Sequence, residues 1–378
     1  MGEAASGQSL GQSGKSALRP HTLVASILAP STQEAIAALD RLPEEVGLAE
    51  IRLDALWPAV PDTDKATDDL LDLADASVAA NRPLLATLRP RRQGGRFEGP
   101  EGVRLGLLQA ALRAGFAYAD LEMDGLDASG RAGLLKEAGG FVASVHLPDT
   151  PCRSDGMTAL LAMHDVGAAY DKLAFTAGAF PDLLRAMELC RAHAERGGRP
   201  ALGTMEHGGA PLRALLPLLG NRATYGAAPG LPAAAPGQPS VDDLLAIWRH
   251  WGLGPADLDL CADKPGPWLA VLGHPIEHSL SPRLHNAALR KAGRRERFGA
   301  LDVPASASAL RLILHVAPRL GMVGASVTAP HKPDAARAAK GDESVQRTGA
   351  ANCLRFEGDA AHATNTDFTG LRRLLAPH

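Results

Sequence analysis

The sequence predicts an α/β protein: a (β/α)8 TIM barrel followed by a smaller α/β domain. Three observations carry this. Short apolar runs alternate with amphipathic stretches from residue 22 onward. Eight such pairs fill about 230 residues, the size of a barrel of this kind. Polar residues also recur at the C-terminal ends of the runs, at Glu50, Arg52, Arg89, His146, Lys172 and Glu206. An open doubly wound sheet gathers its polar ends at one switch point, whereas a closed barrel brings all of them to one mouth.

Strands are expected at 23–28, 49–54, 83–89, 118–123, 140–147, 170–175, 200–206 and 224–227, each followed by a helical segment. Ser31-Thr32-Gln33-Glu34 reads as a capping box opening the first helix, because a serine accepts from the backbone three residues on while the glutamate reaches back. Leu, Ala and Val recur at helical spacing over 68–78, 103–114, 183–194 and 241–251. Residues 255–267 carry Pro, Gly and Asp and read as a linker between the barrel (21–254) and a second α/β unit (268–378). That unit has strands expected at 268–273, 298–303 and 322–328, and a pair near 350–354 and 361–366. Its helices fall at 281–292 and 305–318.

Composition narrows the function classes. At 378 residues, 46% apolar and 21% charged, the chain is long enough for more than one core. A net charge of −3 gives no reason to expect nucleic acid or an anionic membrane as a partner. The apolar runs are too short to span a bilayer. Cys152, Cys190, Cys261 and Cys353 are far apart, which implies neither a metal site nor a disulfide framework and fits a reducing, cytoplasmic setting. Residues 1–20, rich in Gly, Ser and Gln, are expected to be a disordered tail. No Gly-x-Gly-x-x-Gly turn is present, so the usual dinucleotide fingerprint is missing.

Lys172 is the most informative residue. It sits in Tyr170-Asp171-Lys172-Leu173-Ala174-Phe175, an apolar strand that has no use for a lysine unless its amine acts. One strand earlier, Val142-Ala143-Ser144-Val145-His146 ends in a histidine. An amine that forms an imine and an imidazole that moves a proton make a complete chemical pair. Taken one at a time, a snorkelling lysine and a satisfied core histidine are the better explanation, and the rest of the chain changes that.

Five segments in order resemble type I 3-dehydroquinate dehydratase over residues 21–253. They are Glu50-Ile51-Arg52-Leu53-Asp54; Ala86-Thr87-Leu88-Arg89 with Gly94-Gly95; Ser144-Val145-His146; Asp171-Lys172-Leu173-Ala174; and Ala235-Pro236-Gly237-Gln238. The resemblance implies that Lys172 condenses with the ketone of 3-dehydroquinate and that His146 shuttles the proton. Arg213 would hold the substrate carboxylate. Glu50, Arg52, Arg89 and Gln238 would orient the substrate hydroxyls and the histidine. No cofactor is implied for this reaction. Structural readings stay open beside these: an ion pair for Glu50 and Arg52, a surface cation for Arg89, a helix cap near Ser240 for Gln238. The chain departs from the family pattern at Gln93 (a glutamate that helps hold the histidine), Leu147 (an acid), Glu206 (glycine), Leu212 (serine) and Ala234 (serine). Reduced activity or a shifted substrate follows as an open expectation.

Residues 268–370 resemble the substrate-binding domain of shikimate dehydrogenase. The matching segments are Gly273-His274-Pro275-Ile276-Glu277-His278-Ser279-Leu280-Ser281-Pro282; Gly324 to Lys332; Gly349-Ala350-Ala351-Asn352; and Asn365-Thr366-Asp367-Phe368-Thr369-Gly370. By that resemblance Ser279 and Ser281 bind the shikimate carboxylate, Lys332 and Asp367 exchange the proton, and Asn352 and Thr328 meet hydroxyls. Ser326 and Cys353 stand where the family has asparagine and threonine. The family continues into an NADP-binding domain, which this chain is expected to lack. The expected partners are therefore 3-dehydroquinate and shikimate or 3-dehydroshikimate, with a homodimer or a separately encoded NADP-binding partner open. A non-catalytic binder of cyclic hydroxy acids and another imine-forming barrel lyase are the competing readings.

Overall fold

A computed structural model describes residues 19–123, 130, 132–133 and 140–375. Most of the expected tail, and most of the segment after the fourth strand, lie outside the described residues.

Eight strands form one parallel sheet in the order β7-β6-β5-β4-β3-β2-β1-β8. They are β1 Thr22–Ile27, β2 Val46–Arg52, β3 Leu84–Thr87, β4 Tyr118–Glu122, β5 Phe141–Leu147, β6 Asp171–Ala177, β7 Pro200–Glu206 and β8 Ala223–Ala227. β1 pairs with both β2 and β8, so the sheet curls into a barrel. The seam between β7 and β8 has no strand ladder among the described residues. It is closed by single bonds instead. The Arg222 N–H donates to Pro200 C=O at 2.7 Å. The Asn221 side chain accepts from the Leu202 N–H and donates to Ala223 C=O.

Side chains alternate across each strand, and this alternation builds the barrel in layers. Val24, Leu48, Leu85, Val142, Tyr170, Ala201 and Ala223 point inward and plug the lower end as a separate apolar cluster. The next inward residues along four of these strands are Glu50, Thr87, Ser144 and Lys172, and in place of more core they form a buried polar layer. Outward residues such as Ile27, Ile51, Leu121, Leu173 and Phe175 pack into the main core with the helices.

The helices begin where the sequence marks them. The Ser31 hydroxyl accepts from the Glu34 N–H at 3.3 Å and opens helix Thr32–Asp40. Ser240 caps helix Val241–His250 with Asp243 reaching back. The segment read as a linker differs: it folds as helix Pro255–Asp263. Pro255 sits in its first turn, where a missing N–H costs nothing, and Asp257 accepts from the Gly254 N–H at 2.9 Å.

The second unit is a six-stranded mixed sheet in the order β10-β9-β11-β13-β14-β12. Its strands are β9 Trp268–Gly273, β10 Phe298–Asp302, β11 Met322–Val327, β12 Lys340–Gly341, β13 Cys353–Glu357 and β14 Ala360–Thr364. β9, β10 and β11 run parallel, and β13 and β14 form an antiparallel hairpin. The two units share one contiguous apolar core. Gly299 of β10 lets Leu215 approach, since a Cβ there would meet Leu215 Cδ1 at 2.5 Å. Asn286 donates to both Trp251 C=O and Phe298 C=O at 2.9 Å, which ties the end of the barrel to the second sheet. No helix among the described residues is long and apolar enough to cross a membrane.

Candidate active site

The C-terminal ends of the barrel strands surround a cavity of about 390 Å3. Glu50, Arg52, Arg89, His146, Lys172, Arg213 and Gln238 all line it, together with Gln93, Ala234 and Leu147. Every barrel residue singled out for substrate chemistry is therefore brought to one place.

Lys172 is buried on β6. Its Nζ lies 3.0 Å from Asp120 Oδ2 and 3.3 Å from Glu50 Oε1. It also stands 4.1 Å above the centre of the Tyr225 ring, whose face favours a cation. Each carboxylate is held by further donors. Ser26 and Thr87 donate to Glu50 at 2.5 and 2.9 Å. Ser144 donates to Asp120 at 2.5 Å, and Arg89 Nη2 donates to it at 3.1 Å. Burial pushes the Glu50 carboxyl up, but Lys172 and Arg52 outweigh it and hold it below its ordinary range. Asp120 behaves likewise: burial is opposed and exceeded by Arg89 and Lys172. Burial pushes the Tyr225 hydroxyl well up, and nearby Glu50 adds to this.

His146 stands on β5, with Ser144 and His146 in register with Lys172 and Ala174 of β6. The imidazole and the amine therefore face the same side of the sheet. Arg89 Nη1 lies 3.2 Å from His146 Nδ1. Burial, then Arg89, then Lys172, lowers the His146 pKa well below its ordinary value, which favours the neutral ring. Among the described residues no carboxylate hydrogen-bonds to it. Gln93 occupies the position where the resembling family has a glutamate, and its Oε1 is buried without a partner.

Glu50 and Arg52 do not pair with each other. Glu50 faces Lys172, while Arg52 makes a two-pronged ion pair with Asp54, both bonds at 2.8 Å. Arg89 is not a surface cation but is buried, bridging Asp120 and Glu122. Burial alone would lower its pKa, yet those two carboxylates raise it above the ordinary value. Gln238 caps no helix: it accepts from the Ala234 N–H at 2.7 Å and donates to Ser26 Oγ at 3.2 Å. Arg213 is partly committed to the fold. Its Nη1 donates to Tyr225 C=O on β8 and its Nη2 to Thr204 C=O on β7, so it stitches the barrel seam. Its Nε is buried without a partner, and burial lowers the guanidinium pKa to about 10. Glu206 leaves the site: it is exposed and adopts φ 65°, the left-handed conformation. Leu212 is core.

Residues beyond those expected complete the site. Asp120 and Glu122 alternate on β4, facing inward, both buried. Glu122 pairs with Arg89 at 3.0 Å and with Arg104 at 2.6 Å. The signal was in the sequence: Ala119-Asp120-Leu121-Glu122 places two carboxylates two apart in an otherwise apolar strand.

In the second unit, Lys332 Nζ and Asp367 Oδ2 lie 2.6 Å apart in a half-exposed pair. Asn352 is next to them, accepting from the Thr366 N–H at 2.8 Å, while the Ala351 N–H donates to Lys332 C=O. Thr328 follows β11 and packs on Gly273, where a Cβ would meet Thr328 Cγ2 at 2.4 Å. Ser279 and Ser281 stand at the start of helix Ser281–Lys291, with the Ser281 N–H donating to Ser279 Oγ at 3.3 Å. No hydrogen bond joins these serines to the Lys332–Asp367 pair among the described residues.

Comparison with known proteins agrees with this layout. The family model for type I 3-dehydroquinase matches residues 23–253, and the model for the shikimate dehydrogenase substrate-binding domain matches residues 271–354. A 3-dehydroquinate dehydratase from Syntrophobacter fumaroxidans is 32% identical over 236 residues, covering 62% of this chain and 98% of that protein. A bifunctional 3-dehydroquinate dehydratase/shikimate dehydrogenase from Arabidopsis thaliana, described as chloroplastic, is 28% identical over 359 residues. It aligns with 93% of this chain, which spans 55% of its length. A shikimate dehydrogenase (NADP(+)) from Halobacterium salinarum is 41% identical over 108 residues, 29% of this chain and 40% of that protein. The crystal structure of 3-dehydroquinate dehydratase from Geobacillus kaustophilus shares the barrel fold, with a TM-score of 0.55 at 22% identity over 61% of this chain and 91% of that one. The chain belongs to the type I 3-dehydroquinase family, with a shikimate dehydrogenase substrate-binding domain fused to its barrel.

Proposed function

We propose that the barrel is a 3-dehydroquinate dehydratase working through a Schiff base on Lys172. The observation that carries this is the Lys172 amine, buried on the cavity wall between Asp120 and Glu50 and facing the same side as a neutral His146. The amine attacks the substrate ketone, and the carbonyl oxygen leaves as water. The resulting iminium is an electron sink, which acidifies the adjacent C–H. His146 removes that proton and passes a proton to the departing β-hydroxyl, so a second water is lost as the double bond forms. Hydrolysis of the iminium restores Lys172 and releases 3-dehydroshikimate. The buried carboxylates offset the positive charge of the iminium, which is neutralised as the proton leaves and returns as the hydroxyl departs. Arg213, Arg52 and Gln238 remain free to donate to substrate carboxylate and hydroxyls with the hydrogens they do not already use.

The second unit is assigned a binding role toward shikimate or 3-dehydroshikimate, with Lys332 and Asp367 as the proton-exchanging pair. The 2.6 Å contact between them supports this. Turnover of 3-dehydroquinate by the purified full chain, followed by the ultraviolet absorbance of the conjugated product, tests the barrel assignment. Absence of turnover by folded protein contradicts it, and favours a binder of cyclic hydroxy acids. Calorimetric titration with shikimate, compared with a Lys332→Ala variant, tests the second assignment separately.

A further inference from the structure

We propose that His164, Asp171 and His193 form a divalent transition-metal site on the outer wall of the barrel, suited to Zn2+. It lies away from the cavity, on the other side of β6. Asp171 is the first residue of that strand, His164 is in the last turn of helix Arg153–Asp165 and His193 in the last turn of helix Phe180–Ala194. Side chains alternate, so Asp171 faces the helices while Lys172 faces the cavity.

The three residues offer two imidazole nitrogens and one carboxylate, with the ligand atoms all within 4.8 Å of one another. Two neutral imidazoles and a carboxylate make a borderline donor set that takes Zn2+ and leaves a fourth position for water. Metal–ligand bonds of about 2.1 Å in tetrahedral geometry put neighbouring donors roughly 3.4 Å apart. His164 Nδ1 already lies 3.5 Å from Asp171 Oδ2. His193 Nε2 lies 2.7 Å from the same oxygen and needs only a small opening.

Two further features point to a ligand. Among the described residues, His164 Nδ1 and Asp171 Oδ1 are both buried and have no hydrogen-bond partner, although Asp171 itself is fully buried. A cation held on Asp171 Oδ2 gives His164 Nδ1 the partner that burial otherwise denies it, and brings compensating charge to the buried carboxylate. The His193 ring is also fixed in place. A Cβ on Gly198 would sit 2.2 to 2.4 Å from Nε2, Cδ2 and Cε1 together, so the Gly198 backbone packs on the ring face. That contact leaves the in-plane nitrogen directed at Asp171. Partial exposure of the His164 side chain (34%) provides a path of entry. On binding, the His193 proton shared with Asp171 shifts to Nδ1 and Nε2 takes the metal. The ion would tie two helix ends to the strand that carries Lys172 one residue later.

The test is Zn2+ titration by calorimetry of the chelator-stripped full chain, run beside His164→Ala and the volume-conserving His164→Gln. Substitution with Co2+ gives a visible spectrum that reports tetrahedral nitrogen and oxygen ligation. The expected result is one Zn2+ per chain, a melting temperature raised by Zn2+, and affinity at least about 30-fold weaker in either variant, since loss of even an outer partner of a ligand costs 10–100-fold. Absence of saturable Zn2+ binding would overturn the proposal. So would equal affinity in wild type and the variants, which would leave His193 and Asp171 as a hydrogen-bonded pair only.

Discussion

The Lys172 amine reaches across Ser144 to Asp120, with Nζ 3.0 Å from Oδ2, and the same carboxylate oxygen accepts from Arg89 at 3.1 Å. One buried acid on β4 thus balances the amine on β6 and the guanidinium that contacts His146. Asp120→Asn removes the charge and keeps the shape. It leaves two buried cations short of a partner, so a loss of about 3 kcal/mol in stability is expected. Turnover should fall as well, because the iminium loses its nearest counter-charge. Urea unfolding and steady-state kinetics measure both, and an unchanged urea midpoint contradicts the pairing.

Gln93 and His146 line the same cavity, and Gln93 Oε1 is buried without a partner. Gln93→Glu supplies a carboxylate near a ring whose pKa is held low by burial, Arg89 and Lys172. The imidazolium becomes easier to form, so the acidic limb of the pH–rate profile should move upward and kcat should rise several-fold, about 1 kcal/mol of barrier. If neither limb nor kcat moves while the fold stays intact, the arginine has replaced the carboxylate as the partner that matters.

Glu206 holds φ 65° at the end of β7, a conformation that costs a side-chain-bearing residue roughly 1–2 kcal/mol. Its N–H nevertheless donates to Pro236 C=O at 3.0 Å, which fixes the loop that carries Gln238. Glu206→Gly relieves the strain without losing that bond. A gain of about 1 kcal/mol in unfolding free energy, with unchanged denaturant sensitivity, is the expected outcome. Loss of stability would show that the glutamate side chain makes up for its backbone.

His21 is buried against the edge of Trp248 and hydrogen-bonds Thr224 Oγ1 at 3.1 Å. Burial lowers its pKa to about 4 from 6.5. The unfolded chain therefore takes up this proton first as the pH falls. Stability is present above the unfolded value and is lost between about 6.5 and about 4, by up to about 3 kcal/mol. His21→Phe should flatten that part of the stability–pH curve measured by urea unfolding. An equal slope in wild type and variant rules out His21 as the group responsible.

The barrel was legible because its strands announce themselves twice, by apolar runs and by polar residues where those runs end. Lys172 and His146 stood out as residues an apolar strand has no other use for. Asp120 and Glu122 carry the same signal, two buried acids on one strand face, but no separate motif marks them. The helix Pro255–Asp263 was hidden by its composition, since Pro, Gly and Asp mark helix starts as readily as linkers. Arg213 shows what local sequence does not contain. Its two bonds reach β7 and β8, and only closure of the barrel brings those carbonyls together.

The central claim is that Lys172 forms the covalent intermediate. Full-length protein treated with borohydride during turnover of 3-dehydroquinate, then digested and weighed peptide by peptide, tests it most directly. The expected result is a single reduced substrate adduct on the peptide that contains Lys172, absent from Lys172→Ala. An adduct on another lysine, or turnover that persists with no trapped adduct, would contradict the account.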